Sequence, residues 1–183
     1  MESLQGNFLI ATPRMPDPRF RQQVVYLCAH NEAEGAMGLI INQPTDSSLT
    51  EVMEGAGIEL PPHPLPPIYL GGPVEMEAGF FLYSADYQCP HYLEVNERIR
   101  LSRDVAILRD IARGQAPADY LFALGYSGWG PGQLEAELAE DCWLVLPGDY
   151  QVIFHTPDQR KWKQAASLAG IDIAIFGDVV GSA

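Results

Sequence analysis

The 183 residues include 11 basic and 24 acidic side chains, a formal charge of −13, with 47% hydrophobic and 19% charged residues. That much apolar surface excludes a disordered chain, and one domain spanning residues 1–183 would bury about 70% of its unfolded surface without staples. The charge disfavours direct, nonspecific binding to a phosphate backbone, and no apolar run reaches the roughly 18 residues of a membrane span.

In chain order, Phe8-Leu9-Ile10-Ala11 reads as a buried strand bounded by Gly6 and Pro13. Pro13, Pro16 and Pro18 fix their own backbone angles and bias the residues before them away from helix, which predicts a rigid surface loop closed by Phe20. Gln22 to His30 is rich in β-branched and aromatic residues, and with the turn Asn31 to Gly35 and the apolar run Met37 to Ile41 it predicts a β-hairpin. Ser48-Leu49-Thr50-Glu51 has capping-box spacing, and Leu49, Val52, Met53 and Ala56 form the apolar stripe of a short helix stopped at Gly57. Pro61, Pro62, Pro64, Pro66 and Pro67 make a stiff connector that donates no ladder bonds. Ile68-Tyr69-Leu70 then leads as a strand into a glycine turn, Gly71-Gly72-Pro73-Val74, and Gly79 to Ser84 and Tyr92 to Val95 read as further strands.

Ser102 is expected to cap a helix from Arg103 to Arg113, with Val105, Ile107, Leu108, Ile111 and Ala112 on one arc and Gly114 as its stop. Tyr120 to Tyr126 reads as a strand entering the run Gly125-Tyr126-Ser127-Gly128-Trp129-Gly130-Pro131-Gly132, which predicts a tight turn followed by a short helix from Gln133. Cys142 to Leu146 and Tyr150 to Phe154 read as strands, Thr156-Pro157 as the start of a helix through Leu168, and Ile171 to Phe176 as a last strand. Grouped strands with a few helices between them predict an α+β fold on a curved or barrel-like sheet.

The chemistry is sparse. Ser127 lies between a strand and a helix, but a nucleophile elbow needs glycine where Trp129 stands. Gln133 and Glu137 share a helix face and are placed to line a cleft beside Trp129, whereas Glu135 and Glu137, two apart, point to different sides. Cys28-Ala29-His30 and Cys89-Pro90-His91 would supply four zinc ligands if their strands met, yet neither has the spacing of a structural zinc site, so no metal and no cofactor are assigned. Neither glycine run has the lysine or register of a phosphate loop. Three scattered cysteines suit reduced thiols, and Glu2 stands where a secretory signal would be basic, which predicts a cytoplasmic protein. The basic residues fall in short groups at 14–21, 98–113 and 160–163, read as solvated faces and local ion pairs.

Leu4-x-Gly6-x-Phe8-Leu9-Ile10-Ala11-x-Pro13-x-Met15-x-Asp17-x-x-Phe20, Val24-Val25-Tyr26, Gly35-Ala36-Met37-Gly38-Leu39-Ile40-Ile41-Asn42, Gly71-Gly72-Pro73-Val74 and Gly125 to Glu137 together resemble the bacterial YqgE/AlgH family over nearly the whole chain. The resemblance implies an α+β fold with a bifurcated, mostly antiparallel sheet rolled into a pseudo-barrel with flanking helices, a cytosolic setting, an association with transcriptional control, and no agreed activity. The chain departs from the family pattern at Tyr83 and Ser182, where histidines are usual.

Three functions follow as expectations. The first is a noncatalytic regulatory or adaptor protein that acts through another protein. The second is a direct DNA binder using Arg14, Arg19, Arg21, Arg98, Arg100 and Arg103 as one patch. The third is an enzyme or small-molecule binder with a cleft formed by Asn42, Gly71, Gly72, Tyr126, Trp129, Gln133 and Glu137.

Overall fold

Ten strands, five α-helices and a 3-10 turn at Pro18–Phe20 make up the described part of the protein, residues 1–173 of a computed structural model. The strands are β1 (Asn7–Ala11), β2 (Val24–Asn31), β3 (Gly35–Ile40), β4 (Pro44–Ser48), β5 (Pro67–Leu70), β6 (Val74–Ser84), β7 (Leu93–Glu94), β8 (Ile99–Ser102), β9 (Tyr120–Trp129) and β10 (Trp143–Pro147). The helices are α1 (Leu49–Gly55), α2 (Ala106–Ala112), α3 (Gln133–Ala139), α4 (Tyr150–His155) and α5 (Asp158–Leu168).

Eight strands form one antiparallel path in the order β10-β1-β2-β3-β9-β6-β8-β7. The sheet forks at β9. One edge of β9 pairs with β6, while the other is divided: Phe122 to Leu124 take β5 in parallel and Ser127 to Trp129 take β3 antiparallel. Gly125, with φ +75°, lies between the two stretches, and β4 extends the β5 branch. The bifurcation that the family resemblance implies is present. Gln5 Nε2 donates to the carbonyls of Glu94 and Val95, and Asn96 Nδ2 donates to the Tyr26 hydroxyl, so the far end of the sheet curls back toward β1 and β2 as a half-barrel.

Alternate residues of β1 serve two cores. Phe8 and Ile10 join Tyr26, Leu39, Ile41 and the inward faces of α4 and α5, whereas Leu9 and Ala11 join Val25, Leu27, Trp129 and Trp143 on the opposite face. Burial of both faces explains why the strand is apolar at every position. A third cluster packs α1 and α2 against Phe81, Tyr83 and Phe122.

Several elements differ from the expectations. Tyr150 to Phe154 is helix: the Asp149 carboxylate accepts from the Val152 N–H, a cap that overrides the strand preference of Tyr, Val, Ile and Phe. Ser102 ends β8, and the N-cap of α2 is Val105, which has no side-chain cap; Asp104, one residue earlier, accepts from Ala106 N. β9 runs straight through Gly125 to Trp129, so the turn falls later, at Gly130 to Gly132. Helix α5 begins at Asp158 without a side-chain cap, because Thr156 Oγ1 donates back to Gln151 O. No strand covers residues 171–173, and the remainder of the predicted last strand lies outside the described residues, as does Ser182. Lys161 is not solvated: it is 2% exposed, and its Nζ donates to Ile41 O at 2.7 Å and pairs with Asp158 at 2.9 Å. Burial pushes its pKa down, and Tyr69 donates to the same Asp158.

Candidate site at the tryptophan corner

Gly71 and Gly72 cross the fork in the sheet. Gly71 N donates to Leu124 O, while Gly71 O accepts from Ile40 N and from Ser127 Oγ, so one residue ties both branches to β9. A Cβ on Gly72 would stand 2.1 Å from the Tyr126 carbonyl carbon, and one on Gly71 would stand 2.4 Å from Gly125 O. Only glycine permits backbones to approach so closely. The same crossing settles the role of Ser127: it is 1% exposed and its hydroxyl is spent on a main-chain carbonyl. Asn42 lies elsewhere, with Nδ2 donating to Gln22 O and Oδ1 accepting from Val24 N, and it fastens the start of β2.

Beyond the crossing, β9 ends in Trp129. Gly130, Pro131 and Gly132 then turn the chain into α3, with Gly132 in the left-handed region at φ +74° and Gly130 N donating to Gln133 Oε1. The four-residue spacing of Gln133 and Glu137 places them on one face, and Gln133 Nε2 donates to Glu137 Oε1 at 2.9 Å. Glu137 Oε2 accepts from two indoles, Trp129 Nε1 at 2.9 Å and Trp143 Nε1 at 2.7 Å. The two indoles meet edge to face at 5.8 Å, and Phe20 closes on Trp143 at 5.2 Å, as the proline loop was expected to do. One carboxylate thus gathers β9, α3 and β10.

This corner floors a cleft of about 400 Å³ whose opposite wall is the proline loop, with Met15, Pro16, Asp17, Arg19 and Phe20, and whose end is Pro73 and Val74. It brings Trp129, Gln133 and Glu137 together and adds Glu140, Cys142 and Trp143. Tyr126 lines a separate groove of about 540 Å³ with Ala36, Met37, Phe80 and Arg103; Val74, Gly128 and Trp129 border both. The predicted cleft residues therefore divide among the crossing, the groove and the tryptophan cleft.

A buried pair behind the cleft was not anticipated. His30 Nδ1 accepts from Leu4 N, which puts its proton on Nε2, and that N–H donates to Glu135 Oε1 at 2.6 Å. The bond holds the Glu135 carboxyl below the usual range. His30 thus serves α3, while His91 of the other Cys-x-His pair contacts Asp104. Cys28 is fully buried, with its thiol pushed up to about 12 by desolvation, and Cys142 is raised by burial and nearby carboxylates. Among the described residues, no group of three or more His, Cys, Asp or Glu is arranged to hold a metal ion, and no helix is long and apolar enough to cross a membrane. Tyr83, at a position of departure from the family pattern, is buried between the sheet and α2 against Tyr87.

The arginines are dispersed. Arg14 pairs with Asp141 just before β10, whereas Arg98 stacks on Tyr150 just after it, at opposite ends of that strand. Arg19 is held by Asp17, Arg100 lies over Tyr92 and Arg103 over Phe80, while Arg21 lines a small cavity of about 230 Å³ beside Trp162.

A half-barrel with a forked sheet, a glycine crossing at the fork and an aromatic cleft closed around one carboxylate defines the class of protein. A family described as AlgH-like matches residues 8–174, and the chain belongs to that family. It is 45% identical over 182 residues to a UPF0301 protein of Desulfotalea psychrophila, covering 99% of this chain and 95% of the relative. The solution structure of the AlgH protein from Pseudomonas aeruginosa is similar at TM-score 0.78 and 39% identity, with both chains fully covered. A crystal structure of protein DIP2367 from Corynebacterium diphtheriae shares the fold at TM-score 0.75 and 18% identity, covering 96% of this chain and 92% of that one.

Proposed function

We propose that this protein is a noncatalytic adaptor that binds another protein through the tryptophan cleft and influences transcription indirectly. The observation that carries the reading is the commitment of the motif's polar side chains to one another. Ser127 bonds to Gly71, His30 to Glu135, and Trp129, Trp143 and Gln133 to Glu137, so the reactive-looking groups around the cleft hold its shape. A catalytic site would instead aim a nucleophile, a base and an orienting group at a shared open position. The walls suit binding: prolines on both sides and buried indoles below give a preformed surface that costs little ordering entropy on association.

The test is in-cell photocrosslinking with a photoreactive residue at Pro16 or Pro73, on the cleft rim, and at Glu54 on α1 as a remote control. A discrete protein adduct from both rim positions, absent at Glu54 and lost on Glu140→Arg, supports the adaptor reading. No adduct at the rim, or the same adducts at Glu54, overturns it. Direct DNA binding predicts a salt-dependent gel shift, which the wide spacing of Arg14 and Arg98 argues against.

A further inference from the structure

We propose that the tryptophan cleft receives an arginine side chain of the partner protein. This rests on the adaptor reading and names the chemistry its site would recognise.

Charge is the first argument. Asp17 and Arg19, both on the wall, neutralise one another through contacts of 2.7 to 3.1 Å. Asp141, next to the cleft, is paired with Arg14. Glu137 is different: all three of its donors are neutral, and among the described residues no ion pair accompanies it. Glu140 is exposed on the same rim, and no ion pair accompanies it among the described residues. Two carboxylates without an ion-pair partner therefore line one concave space over an aromatic floor, the half-buried Glu137 less screened by water than the exposed Glu140.

Shape is the second argument. Met15, Pro16, Phe20, Pro73 and Val74 supply apolar walls for an aliphatic stem, and Glu137 and Glu140 line the same cleft for its charged head. A bare inorganic cation would gain nothing from those walls. Arginine fits better than lysine because its planar fork reaches two acceptors at once and is more weakly hydrated, so it gives up less on leaving water.

The experiment uses the whole protein with its tryptophans labelled with nitrogen-15. The indole N–H resonances are followed as four probes are added: Ac-Gly-Arg-Gly-NH2, its citrulline and lysine counterparts, and choline. Citrulline keeps the shape of arginine and removes the charge. The arginine probe should shift the Trp129 and Trp143 indole signals saturably, with a dissociation constant in the millimolar range expected of one anchor, and leave Trp162 unmoved. Citrulline should bind at least about tenfold more weakly, lysine severalfold more weakly, and Glu140→Gln should weaken the arginine probe by about tenfold, roughly the value of one charge-assisted contact. Absence of any saturable shift, equal shifts with citrulline, or choline or lysine acting as strongly as arginine would each overturn the assignment. If rim crosslinks form while the arginine probe is silent, the adaptor reading stands and only this inference falls.

Discussion

The run from Gly125 to Glu137 looks like one motif, yet its halves do different work. The first half, with Gly71 and Gly72, is a place where backbones touch; the second, with Trp129 and Glu137, is a place where side chains gather around an open space. At the crossing the tolerance is set by covalent geometry, since a Cβ on Gly72 would fall 2.1 to 2.3 Å from three main-chain atoms of Tyr126 and Ser127. At the corner it is set by hydrogen bonding, since two indoles need an acceptor. Steric exclusion admits no compromise, whereas an unmade hydrogen bond has a finite cost. Stability should therefore respond far more sharply at the first place than at the second.

The largest effect is expected from Gly72→Ala. β9 and the β5–β6 crossing must separate to admit the methyl group, a loss of about 4 kcal/mol or more, read as loss of soluble protein or collapse of the urea midpoint. Gly130→Ala, in the same motif, meets only Gln133 Oε1 at 3.9 Å and should leave the unfolding free energy within about 0.5 kcal/mol of the parent. Equal effects at the two glycines would erase the distinction.

Glu137→Ala comes next. It strands two indole N–H groups on tryptophans that are 7% and 3% exposed, at about 1–3 kcal/mol for each buried donor left unsatisfied. Urea unfolding measures the loss, and a red-shifted tryptophan emission would report water reaching the corner. Full stability in this variant would mean that the carboxylate does not hold the corner together.

Much of this was legible in the residues. The β1 to β3 strands were legible because their apolar runs are long and their turns glycine-marked, and α3 because Gln133, Leu134, Glu137 and Leu138 repeat at helical spacing. Tyr150 to Phe154 reads as strand because four strand-favouring residues outnumber one capping aspartate, yet that cap, together with the packing of Val152 and Ile153, makes it helix. The burial of Lys161 was out of reach: its spacing from Asp158 is local and reads as an ordinary surface pair, whereas its other partner, Ile41, lies 120 residues upstream. The same holds for His30 and Glu135, which are 105 residues apart, and for the arrival of Trp143 at Glu137. That Gln133 and Glu137 share a face beside Trp129 was legible because helical spacing is local; that Asn42 lies away from them was not, because its ties to β2 depend on tertiary structure.

His30 and Glu135 sharpen the comparison from the side of pH. The hydrogen bond from His30 depresses the Glu135 pKa in the folded state, so the folded protein binds that proton less tightly than the unfolded chain does. The contribution is complete above the unfolded value of about 4.3 and is lost as pH falls through the folded value. Glu135→Gln keeps an acceptor for His30 but removes the titration, and should flatten the acid limb of the stability curve below about pH 4.3. An unchanged acid limb would show that α3 is held by its leucines and by Glu137 alone.

The smallest effect on stability belongs to Glu140→Gln, and it separates fold from function most cleanly. The side chain is exposed and makes no contact that the corner needs, so the variant's unfolding free energy should stay within about 0.5 kcal/mol of the parent. The same substitution removes one of two unpaired charges at the cleft and should weaken the arginine probe by about tenfold, roughly a charge-assisted hydrogen bond. Glu51→Gln on α1 is the matching control, likewise exposed and of equal charge, so it makes the whole protein less negative by the same amount without touching the cleft. Weakening at Glu140 alone locates the attraction at the tryptophan corner. Equal weakening at both positions would assign it to the overall field of a protein of charge −13, and the corner would then be a structural feature with no recognition of its own.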